Sequence, residues 1–161
     1  MSRYVLGNAP DLVTPLLTEI QSDVFAAGAC EPHDWNRIAV ALEEALLNAI
    51  YHGNLEVSSK LKEQGDAFHQ LARERRCQRP YGERRVRVTV RVSRAAASFR
   101  IADEGPGFDV SKLPDPTDPE YLERPSGRGL LLMRAFMDEV RYNATGNRVT
   151  MTKRRTAPEA T

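Results

Sequence analysis

Three short stretches of the chain combine residue types that could do chemistry. In Glu44-Ala-Leu-Leu-Asn48-Ala-Ile-Tyr-His52-Gly53, a carboxylate, an amide and an imidazole follow one another at four-residue intervals. On a helix that spacing sets Glu44, Asn48 and His52 along one stripe. Burying a carboxylate or an amide without partners costs several kcal/mol, so the stripe faces water, another polar network or a ligand. Magnesium takes oxygen ligands and keeps waters, so the Asn48 oxygen plus phosphate oxygens would make a sensible site. A neighbouring carboxylate could then act as base toward an attacking hydroxyl.

The second stretch is Asp103-Glu-Gly105-Pro-Gly107-Phe108. It directly follows an expected strand, and its glycines permit positive φ and let backbone N–H groups come close to a ligand. Asp103 would sit at the strand's end as a buried acceptor. The same residues also make an ordinary turn, because Asp and Gly dominate turns for purely conformational reasons. The third stretch is Ser126-Gly127-Arg128-Gly129-Leu130, glycines that open an apolar helix. A helix N-terminus carries unpaired N–H groups and attracts anions, phosphate being the obvious one. Taken singly, a Gly-x-Gly of this kind is equally a plain loop.

The elements that must hold these stretches can be read from periodicity. A short apolar stretch, Tyr4 to Leu6, precedes Asn8-Ala-Pro-Asp11; Leu12, Leu16, Ile20 and Val24 then recur as one helix face, with Asp11 as its N-cap. A second helix after His33-Asp34 has Trp35, Ile38, Leu42, Ala45, Ala49 and Ile50 on its apolar side, with Gly53 at the left-handed C-terminal position. From Ser58 to about Arg76, Leu61, Phe68 and Leu71 form an apolar stripe on a charged helix that Pro80 and Gly82 close. Val86, Val88, Val90 and Val92 alternate with Arg85, Arg87, Thr89 and Arg91, a strand with one buried and one basic face, and Phe99 and Ile101 continue it as a hairpin. Residues 103 to 126 read as a proline-rich loop long enough to have a function. Gly129 to Met137 suits a buried helix, and short strands follow around 140 to 142 and 149 to 151. The tail after Arg154 reads as disordered.

Totals narrow the classes. The 161 residues carry 23 basic and 22 acidic side chains, so no global field gathers nucleic acid or an anionic membrane. Nine arginines do crowd Arg73 to Arg94, but without interleaved aromatics they are a poor nucleic-acid surface. Cys30 and Cys77, the only cysteines, lack metal spacing and fit reduced thiols in a cytoplasm. No apolar run approaches the roughly 20 residues that span a bilayer, and the start lacks a secretory layout. The expected protein is cytoplasmic and makes no contact with membrane or nucleic acid.

The order of the three stretches carries a resemblance. Glu44-x-x-x-Asn48-Ala is similar to the N box, Asp103-x-Gly105-x-Gly107-Phe108 to the first glycine box, and Gly127-x-Gly129-Leu130 to the second, of the GHKL ATPases. The run from Glu123-Arg-Pro-Ser-Gly-Arg-Gly-Leu through Phe136-Met-Asp-Glu-Val140 resembles in particular the anti-sigma-factor serine kinases. The resemblance implies an α/β two-layer sandwich over residues 1 to 154, with helices on one face of a mixed, largely antiparallel sheet. It implies ATP and magnesium, with Glu44 as general base and Asn48 on the metal. Asp103 would bond the adenine amino group; Arg124 would reach the terminal phosphate; and Gly105, Gly107, Gly127, Arg128, Gly129 and Leu130 would line the nucleotide. Glu43 is a second base by proximity, but it stands about 100° round the helix from the Asn48 stripe. The implied partners are a sigma factor and a STAS-domain anti-anti-sigma protein phosphorylated on serine, with room for a homodimer; the alternative is a catalytically silent, nucleotide-gated protein-binding regulator. Two features depart from the family: a helical insertion near residues 58 to 82, and Gly146-Asn147 where the family tends to place Gly-Thr against adenine.

Overall fold

The computed structural model describes residues 1–113, 115, 118 and 128–156. Strands β1 (Ser2–Leu6), β2 (Val86–Val92), β3 (Ala96–Ala102), β4 (Glu139–Tyr142) and β5 (Arg148–Arg154) form one sheet in the order β1-β2-β3-β5-β4. Each pairing between them is antiparallel. Register places Val88 beside Ile101 and Ile101 beside Val149, so one face is a continuous apolar floor. The apolar Tyr4-to-Leu6 stretch is the edge strand β1, paired with β2.

Helices α1 (Val13–Ala26), α2 (Pro32–Leu47), α3 (Ala67–Arg76) and α4 (Arg128–Phe136) join this sheet in the α/β sandwich expected. Ile20 and Val24 of α1, Ile38, Leu42 and Leu46 of α2, and Met133 of α4 are fully buried in one cluster with Val90, Phe99 and Met151 of the sheet. The opposite sheet face is the basic one: Arg3, Arg87, Arg91, Arg100, Arg141 and Arg148 are all exposed. Period-two alternation therefore divides core from solvent as the sequence requires.

Several local expectations are corrected. Asp11 caps no helix: Pro10–Leu12 form a 3-10 turn, α1 starts at Val13, and Val13 replaces the exposed Leu12 on the buried face. The charged segment is not one helix from Ser58 to Arg76. It splits into a 3-10 turn, Ser59–Glu63, and α3, because Gly65 adopts φ +65° between them, a conformation that breaks helix. Gly53 does not end α2 in the left-handed region; α2 runs on as a π-helix, Asn48–Asn54, and the positive φ falls at Glu56. The tail's first residues, Arg155 and Thr156, carry no regular structure, and residues 157–161 lie outside those described.

A buried polar network locks these pieces together. Asn54, wholly inaccessible to solvent, donates from Nδ2 to Asn8 Oδ1 (2.8 Å) and accepts at Oδ1 from the Glu104 N–H (2.7 Å). Asn8 Nδ2 reaches the carbonyls of Tyr81 (2.9 Å) and Arg84 (3.0 Å). Arg84 in turn donates to the Asn54 carbonyl (2.8 Å) and pairs with Glu56 (2.6 Å). Arg75 of α3 donates to the carbonyls of Leu55 and Glu56, and both guanidinium groups stack over Tyr81. Part of the arginine cluster is thus spent on chain carbonyls inside the fold.

Replacing Asn54 takes away the partners of the Glu104 N–H and of Asn8 Oδ1. Each buried orphan costs about 1–3 kcal/mol, so Asn54→Ala should lower unfolding free energy by about 2–4 kcal/mol in urea titration. Adding Asn8→Ala should cost less than the sum of the two single changes, since the pair shares one bond.

Candidate functional site

The site grows from the point where α2 changes its winding. Up to Leu47 the helix is α; from Asn48 it bonds at wider spacing, and the Leu55 N–H donates to the Ile50 carbonyl (3.0 Å), an i to i+5 bond. π turns are rare and collect where side chains must be re-aimed. Asn48 and His52 consequently line both of two adjoining cavities. The first, about 350 Å³, lies between α2, the end of β3, α4 and the β4–β5 turn. That volume falls at the low end of small-molecule pockets.

Asp103, Gly107, Leu130 and Asn147 stand in the wall of the first cavity, with Ile101 and Val149 supplying apolar surface. Asp103 directly follows β3: its N–H donates to the Asn147 carbonyl (2.9 Å), and its Oδ1 accepts the Gly105 N–H (2.8 Å). Burial pushes its carboxyl up to about 6, against the lowering pull of the Gly105 bond and of Arg84. Gly53 is required here because a Cβ would sit 2.6 Å from Asp103 Oδ2. Gly105 does not line the cavity; its α-carbon packs on the Gly53 carbonyl, where a side chain has no room. Gly107, at φ +76°, meets the Thr145 carbonyl, and the Phe108 N–H bonds that same carbonyl (3.0 Å). The first glycine turn and the β4–β5 turn are therefore clasped together.

Glu44 opens into the second cavity, with Asn48, His52 and Lys62. Burial raises its carboxyl pKa, opposed by the charge of Lys62 and reinforced by Glu43. Glu43 is exposed and lines neither cavity, so the geometry separates the two carboxylates. Gly129, in the first turn of α4, lies so close that a Cβ would stand 2.7 Å from Glu44 Oε2 and 3.5 Å from Asn48 Nδ2. The helix N-terminus, the acid and the amide thus meet at one point. His52 donates from Nδ1 to the Val57 carbonyl (2.6 Å), and burial lowers its pKa, disfavouring the charged ring.

The positions of the remaining candidates are mixed. Arg128 is exposed at the start of α4 and lines neither cavity, whereas Leu130 is buried against the first. Arg124 and Gly127 lie outside the described residues. At the atypical Asn147, Oδ1 accepts from Asn143 Nδ2 (2.7 Å), so its carbonyl oxygen serves the Asp103 N–H and its amide oxygen the turn. Asn8, Asn54 and Lys62 carry no sequence signal of a site; only the three-dimensional contacts reveal them. Among the described residues no group of three or more His, Cys, Asp or Glu could hold a metal, so the Asn48 oxygen would share a cation with ligand oxygens. Both cysteines are free, and no helix among the described residues is long and apolar enough to cross a membrane.

The Asp103 shift has a testable sign. A carboxyl whose folded pKa lies above its unfolded value stabilises the protein below the unfolded value and loses that contribution as pH rises through about 6. Between pH 4 and 6.5, Asp103→Asn should flatten the fall in stability by roughly 1–2 kcal/mol, allowing for the group's partial contact with water, as read by urea midpoints.

The sequence model described as the histidine kinase-like ATPase domain matches residues 7–153. No curated protein matches the chain. A match that spans the carboxylate–amide helix, both cavities and the sheet apart from β1 and the last residue of β5 places the chain in that family: it belongs to the histidine kinase-like ATPase domains.

Proposed function

We propose that the chain is an ATP-binding anti-sigma factor that phosphorylates a STAS-type anti-anti-sigma protein on serine. The observation that carries the nucleotide chemistry is the meeting of Glu44, Asn48 and the α4 N-terminus at the seam between two cavities, one of which has Asp103 in its wall. A carboxylate acceptor at Asp103 suits the exocyclic amine of adenine and repels the carbonyl oxygen of guanine. The first cavity's apolar walls suit the flat base. Phosphates leaving that cavity would run toward the N–H groups of α4, where the missing Cβ of Gly129 leaves room.

In this reading Asn48 supplies its side-chain oxygen to magnesium, and magnesium when bound neutralises phosphate charge. Glu44, with its pKa raised by burial, is placed to take the proton of an acceptor hydroxyl at a carboxylate oxygen. The His52 bond to Val57 and the Asn54 network fix the helix that presents both groups. The sigma factor and the STAS protein enter from the likeness of residues 123 to 140 to the serine kinases, and a cytoplasmic location goes with them. A second reading, a nucleotide-gated protein-binding regulator without phosphate transfer, draws support from Asn147, whose amide oxygen is already engaged by Asn143.

Purified protein should bind Mg-ATP and reject GTP in calorimetry, and should transfer labelled phosphate to a serine of its cognate STAS partner. Glu44→Gln should cut transfer by about 10²–10⁴-fold while leaving ATP binding nearly intact. Binding of ATP and of partner with no transfer to any STAS protein would select the silent regulator. No binding of adenine nucleotide at all would remove both readings.

A further inference from the structure

The second cavity, about 410 Å³, lies across Asn48 and His52 from the first, and its far wall comes from the inserted segment. Lys62, on the 3-10 turn Ser59–Glu63, projects an ammonium group 5.3 Å from the ring centre of Phe68. Phe68 is itself buried on α3 and packs on Tyr51 and His52, with ring centres 5.0 and 5.9 Å apart. Lys62 therefore stands on an aromatic block that is anchored to the very helix that carries Asn48.

Two further facts give that cation a direction. Its charge reaches Glu44, lowering the carboxyl pKa against burial, and reaches His52, disfavouring the imidazolium. Yet among the described residues Lys62 forms no ion pair within 4.0 Å. It is a positive charge held across a cavity from a carboxylate without being neutralised by it. A nucleotide whose base lies beside Asp103 and whose phosphates pass Asn48 and Gly129 would bring its terminal phosphate into this second cavity.

We propose that Lys62 binds the terminal phosphoryl group of the nucleoside triphosphate, so that the inserted segment completes the nucleotide site and distinguishes triphosphate from diphosphate. This rests on the ATP-binding reading above. The insertion then has a role in ligand discrimination as well as in packing. The diphosphate ends short of the second cavity and leaves Lys62 untouched.

Calorimetry on the full chain with Mg-ATP and Mg-ADP tests the assignment, using Lys62→Met and Lys62→Arg. Lys62 is exposed, so neither change disturbs the core. A lost charge-assisted phosphate contact should weaken Mg-ATP binding about tenfold or more in Lys62→Met and change Mg-ADP binding less than about twofold, with Lys62→Arg retaining most of the preference. Equal losses for both nucleotides, or no loss for either, would overturn the role of Lys62 while leaving ATP binding in place. Wild-type protein that binds neither nucleotide would overturn the ATP reading itself, and this inference with it.

Discussion

The site depends on one crowded contact, the Asp103 carboxylate seated in the space that a side chain at Gly53 would fill. It brings the end of the π-helix against the end of β3, two segments fifty residues apart in the chain. Asn54, the next residue, fastens the same junction by accepting the Glu104 N–H and donating to Asn8. Because the steric and polar restraints are adjacent, the first glycine turn cannot shift without either a clash or a buried orphan. The wall of the first cavity is therefore tied directly to the helix that presents Asn48. A side chain of any size at Gly53 would push Asp103 out of the wall and separate the two halves of the site.

Much of this could be read from the residues, for definite physical reasons. Alternation of valine with arginine in β2 is an unambiguous period, and the fourfold recurrence through Ile20 and Val24 needs no tertiary information. The spacing of Glu44 and Asn48 also survives folding, since both belong to the helix before or at its change of winding. What could not be read were the places where distant contacts override local preference. Gly53 looks like a left-handed helix end, but its glycine is demanded by the Asp103 carboxylate from the turn after β3. Ser58 to Arg76 has an amphipathic stripe, but Gly65 breaks it, and only the fold shows that the broken turn delivers Lys62 to the second cavity. Asn54 is invisible as a structural residue because its partners lie 46 and 50 positions away.

The electrostatics of the site follow from how unequally water reaches its groups. Asp103 and Glu44 are both raised by burial, yet they differ in what opposes it: a backbone N–H for Asp103, and for Glu44 the charge of Lys62 across a cavity. The hydrogen bond from Gly105 (2.8 Å) is local to the turn, joining residues two apart in the chain. The influence of Lys62 acts through open space, so any anion placed between them would compete with Glu44 for it. An arriving phosphate that drew the ammonium toward itself would leave Glu44 with burial less opposed and its own negative charge beside the carboxylate. Both effects raise the carboxyl's proton affinity, which is the direction a base needs. On the reading proposed above, the cavity would couple occupancy by an anion to the basicity of the acid beside it, through Lys62 on the Ser59–Glu63 turn.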